Sequence, residues 1–330
     1  MAETPNLPLR LRRLRRGPRL RNAVADVTLA PDDLIYPLFV SEADQARPVP
    51  SMPGVSQLPV RDAADTIQRL ADRGLRQFIL FGVTPSSKKD PSGSYARDPQ
   101  APVNRLLETV AEKGLDVLMI SDLCFCEYTD HGHCGPLLAG DDTWIVDNDA
   151  TLDLLGQAAI AQAAAGASVV APSGMIDGQV GAVRSALDRA GFTHVAILSY
   201  SVKFASSLYG PFRDAGEGGA KFGDRRGYQM DYRRRREWRS ELDADLDQGA
   251  DMVMVKPASI YLDIVHQVRQ ACNVPVAAYH VSGEYAQLCA AAEQGWIDLE
   301  QAGLEVTYAI KRAGADLILS YLAPQLLDWM

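Results

Sequence analysis

Eight short runs of apolar, largely β-branched residues recur along the chain: "LIYPLFV" (34–40), "QFILFGV" (77–83), "DVLMIS" (116–121), "ASVVAP" (167–172), "HVAILSYS" (194–201), "DMVMVKP" (251–257), "VPVAAYHV" (274–281) and "DLILSY" (316–321). Runs of this length without polar alternation predict strands buried on both faces, as in parallel sheets. The stretches between them are rich in Ala, Leu, Glu, Gln and Arg, and most stop at Gly. "DAADTIQRLADRG", "TLDLLGQAAIAQAAAG" and "SGEYAQLCAAAEQG" are examples, and a closing Gly is the usual helix stop.

Strand followed by helix, eight times over, predicts an α/β fold of the (β/α)8, or TIM, barrel type, and the length of 330 residues suits one. The rival is a doubly wound open sheet, but no G-x-G-x-x-G fingerprint follows the first strand. A barrel requires its chemistry at the carboxyl ends of its strands. Those ends carry Asp122 and Ser173 after the third and fourth strands and Lys203 after the fifth. Lys256 ends the sixth, Tyr279 and Ser282 lie at the seventh, and Tyr321 ends the eighth.

The chain has seven lysines, and two of them stand at these ends. A buried ammonium loses hydration, so its pKa falls and its neutral amine becomes a nucleophile toward ketones. The plainer reading is a lysine paired with a carboxylate or holding an anion. Two lysines on adjacent strands depress each other further, which favours two carbonyl groups handled side by side.

"CFCEYTDHGHCG" (124–135) packs three cysteines and two histidines into one loop after the third strand. Cys124 and Cys126 are badly placed for a mutual disulfide. Cys124, Cys126 and Cys134 suit a three-ligand zinc site with an open, catalytic fourth position. His131 and His133 would instead close the site into a structural one, and both readings stand on spacing alone. All five cysteines, an odd number, are those of a reduced, cytoplasmic protein.

Composition narrows the rest. Apolar residues make up 47%, charged residues 23%, and the net charge is −9, values of an ordinary globular protein with no general affinity for nucleic acid. No apolar run is long enough to span a membrane. One basic stretch stands out, "RLRRLRRGPRLR" (10–21). It reads as a targeting peptide or as an arm that docks on a partner subunit, and its direct run into the first strand favours an arm over residues 1–30, with the barrel over 31–330. The segment 208–230, "LYGPFRDAGEGGAKFGDRRGYQM", is glycine-rich and charged. It is a lid or a solvated loop, and its Arg213 and Arg225 suit a grip on a carboxylate.

Taken together, "SDLCFCEYTDHGHCG", "SYSVKFASSLYGPFRDA", "GADMVMVKPA", "YLDIV" and "VSGEYA" resemble the porphobilinogen synthase (5-aminolevulinate dehydratase) family, and the likeness spans nearly the whole chain. The resemblance implies a barrel whose arm hugs neighbouring subunits of a homo-octamer. It implies condensation of two 5-aminolevulinate molecules into porphobilinogen, with loss of two waters, in tetrapyrrole (heme) biosynthesis. It makes Lys256 the Schiff-base residue for the substrate that becomes the propionate side, and Lys203 the residue that engages the second substrate. Cys124, Cys126 and Cys134 would hold a catalytic zinc, with Asp122 assisting proton transfer. Ser282 and Tyr321 would meet the first carboxylate; Arg213, Arg225 and Gln229 would meet the second. Tyr200, Tyr279 and Ser173 would line the pocket, and Glu241 would bind an allosteric magnesium outside it.

Three departures from the family pattern stand out: "DYRRRREW" after "YQM", covering Asp231 to Glu237 among the subunit contacts, Gly174 where relatives carry Asp, and His280 where they carry Gln. A Schiff-base aldolase needs one lysine and no thiolate zinc. A zinc-binding structural or regulatory protein needs neither lysine.

Overall fold

The computed structural model describes residues 9–138 and 145–330; the first eight residues of the expected arm lie outside them. Eight parallel strands form the barrel: β1 (Leu34–Ser41), β2 (Gln77–Val83), β3 (Leu118–Leu123), β4 (Val169–Pro172), β5 (Ala196–Lys203), β6 (Met252–Lys256), β7 (Val276–His280) and β8 (Leu317–Ser320). The ring closes where β1 pairs with β8, Leu34 opposite Ile318 and Ile35 opposite Leu319. Closure leaves no sheet edge inside the barrel. A short strand at Ser56–Pro59 flanks β1, and Arg47–Pro48 pairs with it antiparallel.

The helices pack outside: α1 (Val60–Ala71), α2 (Pro102–Glu112), α3 (Asn148–Ala164), α4 (Gln179–Arg189), α5 (Glu237–Asp247), α6 (Leu262–Ala271), α7 (Ser282–Glu293), α8 (Leu299–Ala313) and α9 (Ala323–Trp329). Their sequences explain their faces. In α1, Ala63, Ala64, Ile67 and Leu70 are buried, the one-sided spacing of an amphipathic helix. Asp147 caps α3 by accepting the Ala150 N–H at 3.0 Å, and Asp298 caps α8 through Gln301 at 2.8 Å.

Strand positions follow the apolar runs, with shifts of one or two residues that matter for the site. Asp122 and Lys203, expected just beyond their strands, lie inside β3 and β5. Two helices rather than one separate β7 from β8. The segment expected as a lid begins with a turn at Ser207–Tyr209 and a helix at Gly210–Gly216. Its ends are tied together: Met230 donates to the Lys203 carbonyl at 3.1 Å and Ala205 to the Met230 carbonyl at 2.9 Å.

That segment closes onto the barrel mouth because two glycines let it. A Cβ on Gly283, at the start of α7, would stand 2.5 Å from the Leu208 carbonyl oxygen; one on Gly132 would stand 2.2 Å from that of Gly219. Gly132 also has φ +76°, the left-handed region that disfavours other residues. No helix of the described residues is long and apolar enough to cross a membrane.

Candidate active site at the barrel mouth

Lys256 and Lys203 are directly opposed partners on β6 and β5, both buried. Rings surround the Lys256 amine: Nζ lies 4.4 Å from the centre of Tyr279, 5.1 Å from Tyr200 and Tyr209, and 5.2 Å from Phe212. Among the described residues it has no hydrogen-bond partner. Burial, and next the Lys203 charge, lower its pKa to about 7, against the opposing pull of Asp122. The ring faces favour a cation there, yet they supply far less than the water they displace. Lys203 is held differently, its amine donating to the Ser173 carbonyl with the Tyr200 ring centre 5.5 Å away.

Asp122 sits across the cavity, and its Oδ2 accepts from the Ser173 hydroxyl at 3.1 Å. Burial first, then the neighbouring Glu127, push its pKa up to about 8. Glu127 is also buried and raised to about 8, by desolvation and the sulfur of Cys126. Two carboxyls near two amines, all removed from water, make proton transfer across neutral pH possible.

The three cysteines form one buried cluster behind Asp122. Their sulfurs all lie within 4.8 Å of one another, with Cys124 Sγ and Cys126 Sγ 3.4 Å apart. Cys126 donates to Glu127 Oε2 at 3.1 Å. Hydrogen bonds from Cys124 and Cys126 hold the Cys134 thiol well below its ordinary value, and Cys124 is raised in turn. Buried soft sulfur donors at this spacing fit a thiophilic divalent metal. The histidines lie outside the cluster. His131 Nε2 meets the Pro91 carbonyl at 3.2 Å, while His133 meets the Tyr228 hydroxyl at 3.2 Å and the Phe222 carbonyl at 3.0 Å. His131 also accepts the His133 N–H on Nδ1 at 3.1 Å, so His131 ties the loop to Pro91 and to itself, while His133 ties it to the 208–230 segment.

The cavity at the lysines measures about 20 Å³, room for about one water molecule. Of the residues expected from sequence, Asp122, Cys126, Ser173, Lys203, Arg213, Arg225 and Lys256 line it. Sequence reasoning missed Phe81, Glu127, Tyr209 and Phe212, which line it too. Glu127 lay inside the quoted cysteine loop, and a carboxyl next to one of three clustered cysteines was the signal for it. Tyr200 and Tyr279 form the floor beneath Lys256. Cys124 and Cys134 stand behind Cys126.

Other expected residues are elsewhere. The Ser282 hydroxyl accepts the Phe212 N–H at 3.0 Å and so holds the helix Gly210–Gly216. The Tyr321 hydroxyl is bonded to that of Tyr279 at 2.9 Å. Gln229 lines an outer groove of about 730 Å³ together with Arg213 and Arg225, which thus border both spaces. Arg225 donates to the Gly132 and Gly218 carbonyls at 2.9 and 2.6 Å. Glu241 faces a separate cavity of about 1080 Å³, shared with Asp177 and Glu237. Burial and the Asp177 charge raise its pKa to about 7.

Fold and site together define a (β/α)8-barrel enzyme with paired lysines beside a thiol cluster. Residues 8–329 match the family described as Delta-aminolevulinic acid dehydratase. A relative of that name from Synechocystis is 49% identical over 323 residues, 98% of either chain, and one from Archaeoglobus fulgidus is 45% identical over 329 residues, 99% of either. A crystal structure of delta-aminolevulinic acid dehydratase (porphobilinogen synthase) from Toxoplasma gondii, in complex with the reaction product porphobilinogen, superposes with a TM-score of 0.95. It is 40% identical, over 98% of this chain and 92% of that one. The chain belongs to the delta-aminolevulinic acid dehydratase family and is a lyase of tetrapyrrole biosynthesis.

Proposed function

We propose that this enzyme makes porphobilinogen from two molecules of 5-aminolevulinate through both lysines. The Lys256 amine attacks the ketone carbon of the molecule that becomes the propionate side. Water leaves, and a Schiff base forms that draws electrons from the adjacent carbon. Lys203 engages the ketone of the second molecule in the neighbouring position. New bonds between the two molecules and loss of the second water complete the ring, and the lysines are released. The observation that carries this reading is the pairing of Lys256 with Lys203 on adjacent strands, with the Lys256 amine lowered to about 7 inside its aromatic cage. An aldolase needs only one of these lysines.

Asp122, protonated about as often as not near pH 8, gives and takes protons at the reacting carbons while Ser173 orients it. Arg213 and Arg225 grip carboxylates at the border between cavity and groove, joined by Gln229 on the outer side. Ser282 and Tyr321 meet the first carboxylate once the lid helix releases the Ser282 hydroxyl. Opening is required because the closed cavity is too small for either substrate. Cys124, Cys126 and Cys134 would hold zinc, with Cys126 facing the cavity. When bound, zinc supplies a Lewis acid for the second substrate's oxygen or amine.

The remaining readings complete the proposal. The arm over residues 1–30 packs on a neighbouring copy in a homo-octamer; its described part leaves Leu9, Leu11, Leu14 and Val24 exposed, more apolar surface than a solvated tail would carry. Glu241 binds a regulatory magnesium in the cavity beyond the lid. The enzyme works in the cytoplasm, where its five thiols stay reduced.

The test is pyrrole formation from 5-aminolevulinate, before and after chelation and after zinc is restored. Activity lost and regained supports the whole reading. Activity indifferent to chelation removes catalytic zinc, and no pyrrole under any metal condition returns the site to a single-lysine aldolase.

A further inference from the structure

Tyr200 and Lys203 are three residues apart, so a regular strand would send their side chains to opposite faces. Both nonetheless face the cavity, because the Tyr200 ring centre lies within 5.5 Å of the Lys203 amine and 5.1 Å of the Lys256 amine. The reason is a bulge. Val253 and Val255 of β6 are two positions apart, but their partners on β5, Ser199 and Val202, are three apart. One extra residue sits on β5, and Tyr200 and Ser201 share the place opposite Met254.

The pairing on each side is fixed. Upstream, Ile197 donates to Asp251 Oδ2 at 2.8 Å while Asp251 donates back to the Ile197 carbonyl at 3.1 Å. Downstream, Phe204 donates to the Lys256 carbonyl at 2.9 Å. These bonds demand that an extra residue exist; they do not say where it falls between them. Placed before Tyr200, it would turn Tyr200 outward and Ser201 inward, and both amines would lose their shared ring.

What settles the place is on the helix behind. Ser199 and Ser201 flank Tyr200, and both reach Asp245: the Ser199 hydroxyl donates to Oδ2 at 2.5 Å, the Ser201 hydroxyl lies beside the same carboxyl, and all three residues are buried. Two residues drawn outward on either side of Tyr200 leave it facing inward. The slip that turns Tyr200 outward would carry Ser201 away from the buried carboxyl. We propose that Asp245 of α5 is a positioning residue for the reaction: by holding Ser199 and Ser201 outward it keeps the extra residue from falling before Tyr200, and so seats the Tyr200 ring beneath both lysine amines. The proposal rests on the reading of Lys256 and Lys203 as the reacting groups.

The test is a double-mutant cycle on kcat for pyrrole formation in the full-length, zinc-loaded enzyme. Asp245→Ala and Tyr200→Leu are each expected to lower kcat at least about tenfold, as misplacement by an ångström does. The double variant should fall no more than about twofold below the worse single one, because Asp245 acts through Tyr200. Asp245→Asn, whose amide oxygen still accepts from Ser199, should recover most of the loss. Losses that multiply to about 100-fold in the double variant would mean general loosening and overturn the proposal. So would an Asp245→Ala enzyme within twofold of the parent, an Asn variant no better than Ala, or recovery of Asp245→Ala by added magnesium, which would assign Asp245 to the Glu241 cavity. If Asp245→Ala does not fold, Ser201→Ala replaces it in the cycle with Tyr200→Leu, and the coupled and multiplying losses are read in the same way. Lys256→Met is run in parallel: retained turnover there sinks the lysine reading, and the pin with it. A dead Lys256→Met beside an additive cycle sinks the pin alone.

Discussion

Replacing Lys203 with Met should raise the pKa of Lys256 and slow its reaction at neutral pH. Each amine lies close to the Tyr200 ring centre, at 5.5 and 5.1 Å, so the two nitrogens are no more than about 11 Å apart. At that separation and an effective dielectric of about 20, two like charges repel by roughly 1.5 kcal/mol, about one pKa unit. The Lys203 charge opposes the protonated form of Lys256, so removing it moves the pKa from about 7 toward roughly 8. At pH 7 the neutral fraction then falls from about a half to about a tenth. The assay is the rate at which borohydride fixes one 5-aminolevulinate on Lys256, measured from pH 6 to 10. The parent profile should be half-maximal near 7, with the variant displaced upward by about one unit and slower about fivefold at pH 7. Equal rates near pH 9.5 would show that the amine itself is intact. A profile that stays in place, or moves to lower pH, would refute the like-charge account and leave burial as the sole cause.

Three further outcomes test other parts of the structure. Cys126→Ala should lose zinc and, with it, roughly 100-fold or more of turnover, while circular dichroism stays unchanged; bound metal at parental stoichiometry would point to ligands other than the three thiols. His280 is buried and neutral, its pKa pressed down by desolvation from 6.5 to about 4. The unfolded chain binds that proton first as pH falls, so stability is fully present above about 6.5 and declines until about 4, by about 2 kcal/mol at pH 5; urea denaturation of His280→Gln should lose less than the parent between pH 7 and 5. Glu284 accepts the Val281 and Ser259 N–H groups, each at 2.7 Å, joining the start of α7 to the loop after Lys256. Glu284→Ala should cost about 2–4 kcal/mol by stranding two buried donors, seen as a lower unfolding midpoint; an unchanged midpoint would mean that water replaces the carboxylate.

Local sequence determined a good deal here. Eight apolar runs prescribe eight buried strands, since each backbone segment without polar side chains must satisfy its hydrogen bonds in a sheet covered on both faces. That is why the barrel was legible, and why Lys256, at the end of "MVMV", was recognisable as a buried amine. The cysteine spacing was equally local: three thiols on one loop can meet, although Pro91, Phe222 and Arg225 help hold that loop in the fold.

Other features depend on partners far away in the chain. An apolar run does not reveal which of its side chains face inward, and an extra residue on β5 is defined only against β6. Strand alternation alone would send Tyr200 and Lys203 to opposite faces, and only the pairing of two strands some fifty residues apart brings them together. The 208–230 segment decided the roles of polar groups in the same way. Ser282 and Arg225 carry the right chemistry to hold a carboxylate, yet here they bond to the backbone of segments that spacing does not place beside them. Side-chain chemistry and burial tendency are properties of a residue and its near neighbours, and the sequence states them. Facing, pairing and hydrogen-bond partners are relations between distant segments, and those belong to the tertiary structure.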